Sequence, residues 1–318
     1  MGGYIVRRLL LMVPVALLVT VIVFALTRLS PGDPVLVYAG EERDPAQLAQ
    51  IRHSLGLDQP LPVQYAAWLA HAVQGDLGRS IRTRQPVIEA IAERIPNTLE
   101  LGGAAILISV SIALVVGTLS AVKRNSPLDL VTTGVTLAGV SLPNFFLGLA
   151  LILLFSLVVR IFPPGGFVKF SEDPGGNLLR LVLPATTLAA ASLAVNVRQM
   201  RSSLLDVLGQ DYIRTARAKG LRESVVIMKH ALRNALIPVV TLVGLQVGAI
   251  IEGAIITETI YFWPGVGRLA VDSIGGRDYP VVQAIVLMSA LSYMFFTLVV
   301  DVLYALLDPR ISYGGGRR

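Results

Sequence analysis

The sequence predicts an all-α membrane protein with about six transmembrane helices. Its 318 residues are 54% hydrophobic and only 15% charged, and its mean hydropathy is +0.68. Six apolar stretches each come near the roughly 20 residues that a helix needs to cross a bilayer. Soluble domains rarely combine these features. The formal charge of +6 would suit nucleic acid, but the basic residues gather at span ends, where Lys and Arg lie beside anionic lipid on one side of a membrane. Membrane lipid is therefore the expected surrounding, and no nucleic-acid partner is expected. The chain has no cysteine, which removes disulfides, thiolate catalysis and cysteine-bound metal.

The first span covers residues 9–29, behind Arg7 and Arg8. Its apolar run is too long for a signal peptide and no A-x-A-like site follows, so it reads as a retained helix. Residues 30–95 form a long external loop, expected to be partly helical. In "DPAQLAQIRHSLG" Asp44 is the expected N-cap, Pro45 the first helical residue, Leu48, Ile51 and Leu55 one face, and Gly56 the stop. In "PVIEAIAERIPNTLE" a stripe of Ile88, Ile91 and Ile95 ends at Pro96, and Asn97 with Glu100 resembles a capping box opening the second span.

That second span covers 99–122 and the third 130–159, the latter overlong and interrupted by "SLPNFF", which predicts a kink or break at Pro143. The fourth, 181–197, is rich in Ala and Thr; the fifth is 235–256 and the sixth 281–307. Gly244 and Gly248, four apart in the fifth span, permit close helix contact. The division is thus 1–29 for the N-terminal segment and first span, 30–95 for the external loop, 96–310 for the core with a cytoplasmic segment at 203–233, and 311–318 for a tail.

Alternate loops set the orientation. Arg7, Arg8, Lys123, Arg124, Arg198, Arg201, Arg214, Arg217, Lys219, Arg222, Lys229 and Arg233 fall on one side, which predicts that both termini are cytoplasmic. The opposite loops are mixed or acidic, with Glu41, Glu42, Asp44, Asp272 and Asp278 against Arg43, Arg268 and Arg277.

Enzymatic signatures are missing. Lys123, Lys169, Lys219 and Lys229 are followed by Arg, Phe, Gly and His, so none is the lysine of G-x-x-x-x-G-K-[ST] and any ATP energy must come from another chain. His53, His71 and His230 are too scattered for zinc, and neither H-E-x-x-H nor G-x-S-x-G occurs. An ion-coupled transporter would place ionisable residues in mid-span. The nearest, Glu252 and Glu258, lie towards the external end of the fifth span and read as interfacial or bundle-facing hydrogen-bonding groups in preference to a proton relay.

The most unusual stretch for so apolar a chain is "DYIRTARAKGLRESVVIMKHALRNALIPVV", residues 211–240. Helix-favouring residues lead to Arg217 and Lys219 in a last turn, where cations suit the helix dipole, and Gly220 fits a left-handed position after the helix. Beyond it Leu221, Val225, Met228 and Leu232 recur at helical spacing while Arg222, Lys229 and Arg233 lie mostly elsewhere. Such a basic amphipathic element is either a charged membrane anchor or a docking surface. Further on, "ETIYFWPGVG" places a tight turn at Pro264 and Gly265, and Tyr261 and Trp263 suit an interfacial belt.

The residues around Gly220 resemble the cytoplasmic EAA signature of ATP-binding-cassette import permeases. Arg214, Thr215 and Ala216 stand at its first three positions and Gly220 at its glycine; Arg214 replaces Glu, Thr215 replaces Ala, and the proline is delayed to Pro238. In addition "LSPGDPV", "LGLDQPLPVQYAAWL", "GDLGRS", "PVIEAIAERIPNTLEL", "DYIRTARAKGL", "HALRNALIPVV", "ETIYFWPGVGRL", "RDYPVVQA" and "LDPRI" look like blocks of the dipeptide/oligopeptide permease family, in family order, specifically its B-type subunit.

The resemblance implies a type I ABC importer permease fold in a bacterial or archaeal inner membrane. It implies a non-enzymatic peptide-translocating subunit, partnered by a C-type sister permease, two ABC ATPases carrying ATP and Mg, and an extracytoplasmic substrate-binding protein. Arg214, Thr215, Ala216, Arg217, Gly220, Leu221, Arg222 and Val225 would seat on an ATPase. Trp263, Pro264, Gly265, Val266 and Gly267 would form an external gate or touch the binding protein, the external loop would act as a lid, and Gly244 and Gly248 would pack against the sister subunit or within the chain. No metal or cofactor is expected on this chain. Same-family import of a nickel chelate, glutathione or haem stays open, as does an ion-coupled secondary transporter.

Overall fold

In a computed structural model, residues 2–29, 35, 39, 44–54 and 56–307 are described. Leu55, the loop charges Glu41, Glu42 and Arg43, the side chains of Arg7 and Glu252 and the tail 311–318 lie outside them. The chain divides into two compact units, Met1–Thr98 with Pro264–Met294, and Leu99–Trp263 with Phe295–Arg318.

The first unit begins with α1, Gly2–Leu29, followed by α2, Pro45–Ser54, α3, Leu61–Val73, and α4, Val87–Ala92. Asp44 caps α2 by accepting from the Ala46 amide at 3.2 Å, and Gly56 turns the chain with φ of +63°. The sequence reading did not assign α3. It packs on the first span through Tyr65 and Trp68 beside Phe24, with ring centroids 5.5 and 6.1 Å away, and through a 2.8 Å hydrogen bond between the Thr20 and Tyr65 hydroxyls.

Two expectations for residues 87–100 are corrected. The helix breaks at Glu93 and Arg94, before Pro96, because proline is tolerated in the first turn of the next helix, α5, Ile95–Val122. The buried stripe is Val87, Ala90 and Ile91, while Ile88 is exposed. Later in this unit lie α13, Val266–Gly275, and the first part of α14, Tyr279–Leu307. Buried Asp278 just before α14 accepts from the Ile81 amide at 3.0 Å and from the Ser80 hydroxyl. "GDLGRS" and "RDYPVVQA" therefore meet in space.

The second unit is arranged around α8, Pro174–Leu208, which packs on α6, Pro127–Ser141, on α7, Asn144–Leu151, and on α11, Leu232–Gly248. Asp173 caps α8 through the Gly176 amide at 2.9 Å and Pro174 opens it. At 1.5 Å per residue its 35 residues run roughly 50 Å, well beyond the roughly 30 Å hydrocarbon core. The apolar window 181–197 is its middle, and the same helix carries Arg198 and Arg201 onward. The third span breaks as expected: α6, Pro127–Ser141, and α7, Asn144–Leu151, which continues as a π-helical turn over Ile152–Val158, are bent by 106°. Leu142 is extended because the ring of the following proline excludes the helical region.

The predicted fifth span is likewise two helices, α11, Leu232–Gly248, and α12, Ile250–Ile260, separated at Ala249. Gly244 lies so close to the last span that an added Cβ would fall 2.6 Å from Val300. Its close contact is thus within the chain, and Gly248 is buried. Deep in this unit Asn196 donates to Ser109 and Gln246 at 2.8 and 3.1 Å, and Gln246 returns a bond of 2.9 Å. This polar node joins α5, α8 and α11 where unpaired amides would be costly.

Candidate functional site

Two short helices follow α8 in the basic segment: α9, Asp211–Ala218, and α10, Glu223–Val225. The latter runs through a π-helical turn, Val226–Ala231, into α11. Ile213 and Ala216, three residues apart on α9, are buried in a cluster with Met200, Leu204, Val226, Ala231, Ala235 and Val239. The buried residues after Gly220 are spaced 5, 4 and 4. One extra residue in the π turn shifts the register and keeps a continuous inner face.

That face differs from the stripe marked by sequence periodicity. Leu221, Val225 and Met228 point outward, with 40%, 37% and 63% of their surface exposed. The apolar pattern was real, but three of its four members lie on the surface; Leu232 packs on the core, which Val226, Ala231, Ala235 and Val239 fill. Arg214, Thr215, Arg217 and Arg222 are also outward, and Ala216 is the member of the predicted set that packs inside.

Gly220 has φ of +75°, the left-handed conformation that glycine reaches without strain. Its amide donates to Arg217 O at 2.9 Å. A bidentate fork spans the turn, Arg217 Nη2 to Glu223 Oε1 at 2.6 Å and Nε to Oε2 at 3.1 Å. The fork is partly exposed, so its planar geometry contributes more to shape than to stability. Sequence reasoning missed Glu223, although it is the single acidic residue between Tyr212 and Ile251. Tyr212 completes the frame by accepting from Asn234 Nδ2 at 2.8 Å, which brings "DYIRTARAKGL" onto "HALRNA".

Just behind this surface Arg201 is held by Asp129, Nε to Oδ1 at 2.6 Å and Nη2 to Oδ2 at 2.8 Å. Asp129 is buried and also accepts from the Ser120 hydroxyl at 2.5 Å and the Asn125 amide at 2.9 Å. Four donors on one carboxylate fasten the end of α5, the start of α6 and α8. A sequence separation of 72 residues left no local signal for this pair.

At the other candidate site, the aromatic belt expected at Tyr261 and Trp263 is corrected: both rings are wholly buried in the second unit. Trp263 stands edge-on to Phe167 at 4.8 Å and packs with Leu101, Leu181 and Ala185. The Tyr261 hydroxyl lies 2.9 Å from Thr187 Oγ1 and donates to Gly148 O at 3.1 Å. Phe262 is the exposed ring of this stretch. In the first unit Asn97 Nδ2 donates to Pro264 O at 2.9 Å and the Thr98 hydroxyl accepts from the Val266 amide at 2.8 Å. Asn97 thus holds the turn and not a helix cap. Gly265, Val266 and Gly267 are buried.

Among the described residues, five helices are long and apolar enough to cross a membrane, or six if the bent pair is one span, which defines the class as a polytopic membrane protein. Residues 113–313 match the family described as binding-protein-dependent transport system inner membrane component, and residues 1–102 match the N-terminal part of such components. The chain belongs to that family and is an inner-membrane component of a transport system, not an enzyme. It is 44% identical to the glutathione transport system permease protein of Salmonella typhi, over 98% of this chain and 100% of that protein. It is 43% identical to the dipeptide transport system permease protein of Escherichia coli, over 98% of each. A solved structure of an amino acid ABC transporter is similar with a TM-score of 0.47 and 19% identity, covering 70% of this chain and 95% of that one.

Proposed function

We propose that this chain is the permease subunit of an ATP-driven importer of small peptides. It forms half of the translocation pathway with a C-type sister permease, receives substrate from an extracytoplasmic binding protein, and transmits the cycle of two ATPases that hold ATP and Mg. Both termini and the 203–233 segment lie on the cytoplasmic side, in keeping with the basic residues there.

The observation that carries the reading is the outward face around Gly220. Leu221, Val225 and Met228 offer apolar surface in the same segment as the exposed Arg214, Lys219 and Arg222, while Ile213 and Ala216 root the segment in the core. Apolar anchors inside a charged rim are the ordinary anatomy of a protein interface. Movement of a partner here reaches α8 and α11 directly, as rigid-body switching requires. Small peptides are favoured as cargo because dipeptide and glutathione permeases are among the relatives.

Cysteine at Leu221 or Val225 in the assembled transporter should crosslink to an ATPase. No crosslink in any nucleotide state would overturn the docking role. Mass spectrometry of ligand carried by the copurified binding protein identifies the cargo, and a non-peptide ligand would overturn that part alone.

A further inference from the structure

Beside the outward face lies a groove of about 590 Å³, lined by Tyr212, Lys229, His230, Arg233, Asn234 and Ile237. Its volume falls within the roughly 300–1,000 Å³ of small-molecule sites. Lys229 and Arg233, four residues apart, both line it. Arg201, Arg214 and Arg217 each pair with a carboxylate; Lys229 and Arg233 pair with none among the described residues. Tyr212 is held in the lining by the Asn234 to Tyr212 bond of 2.8 Å.

The groove is amphipathic along its length. Ile237 follows Arg233 by one turn, and exposed Val240 follows Ile237 on α11, within the stretch of membrane-crossing length. Two unpaired cations at a span end, running out onto an apolar helix face, match an anion attached to a hydrocarbon chain better than a free anion.

We propose that this groove binds the headgroup phosphate of an anionic phospholipid, with Lys229 and Arg233 on the phosphate and an acyl chain along Ile237 and Val240. Because Tyr212 belongs to α9 and the cations to the π turn and α11, an occupied groove ties the segment around Gly220 to the fifth span. The inference stands apart from the identity of any ATPase or cargo.

The test uses the transporter as purified, in nanodiscs of phosphatidylcholine with or without phosphatidylglycerol, and counts retained lipid by native mass spectrometry after delipidation. Phosphatidylglycerol should be retained over phosphatidylcholine. Lys229→Gln with Arg233→Gln should lower that retention on the order of 10- to 30-fold. Lys229→Arg with Arg233→Lys should preserve it, separating charge from misfolding. Equal loss in a Lys123→Gln, Arg124→Gln control would reduce the effect to general surface charge and overturn the site. Absence of a phosphatidylglycerol preference, or its displacement by inorganic phosphate, would overturn the lipid assignment.

Discussion

Gly220 allows conformational strain to be separated from crowding. Its φ is +75° and a Cβ built there meets nothing within 4 Å, so a substitution adds no clash. The left-handed region costs an L-residue roughly 1–2 kcal/mol, least for Asn, whose side chain bonds locally. Gly220→Val should sit at the upper end, Gly220→Ala lower and Gly220→Asn nearest to wild type. If the turn relaxes instead of bearing the strain, α10 swings away from its place beside α9. Affinity for the docking partner then falls by about 5- to 30-fold, since 1.4 kcal/mol is tenfold. Titrating the ATPase against the purified chain gives the affinity, ATP hydrolysis stimulated by the binding protein gives coupling, and thermal unfolding reports general loss of structure. Wild-type affinity and hydrolysis in the Val variant would refute the docking role. Asn behaving as poorly as Val would refute the strain argument.

Asp129→Asn should destabilise the second unit by about 3–5 kcal/mol, because it leaves Arg201 without its fork; an apolar pair at both positions should recover much of that in a thermal unfolding assay. Tyr261→Phe should cost about 1 kcal/mol by removing the hydroxyl contacts to Thr187 and Gly148, whereas Trp263→Ala should cost about 3–5 kcal/mol; the same assay ranks them, and equal losses would mean that the aromatic packing has been misjudged. The His53 to Asp58 hydrogen bond of 2.7 Å raises the His53 pKa and lowers that of Asp58. The tie is therefore lost as pH rises through the raised histidine value or falls through the depressed carboxylate value; NMR titration should show His53 above an ordinary histidine, returning to it in Asp58→Asn.

How much of this was legible in the sequence depended on whether the cause was local. Pro143 announces its break because its ring acts on the preceding residue, and Asp44, Gly56 and Gly220 act within a few residues of themselves. The register of the basic segment was not legible, since periodicity at 221–232 selects Leu221, Val225 and Met228, which face outward, together with Leu232, which packs on the core, while the π turn lets Val226 and Ala231 face the core. Tyr261 and Trp263 have the composition of a membrane belt, and only the packing of Phe167, Thr187 and Gly148 around them makes them interior. The family-like blocks were recognisable before they had a physical reason. The structure supplies one, by setting Ser80 on Asp278, Asn97 on Pro264, and Asn234 on Tyr212.

The ion pairs of the basic segment also divide its charges in time. A nascent helix is oriented by its flanking Lys and Arg before tertiary contacts exist, and carboxylates weigh little in that choice. During insertion Arg201, Arg214 and Arg217 count alongside Lys229 and Arg233. Once the chain has folded, Arg201 is held on the buried carboxylate of Asp129, while Arg214 and Arg217 pair with Asp211 and Glu223 at the surface. Topogenesis and recognition thus draw on overlapping but unequal sets of cations, since Arg201 is committed to a buried carboxylate that a nascent helix does not yet have.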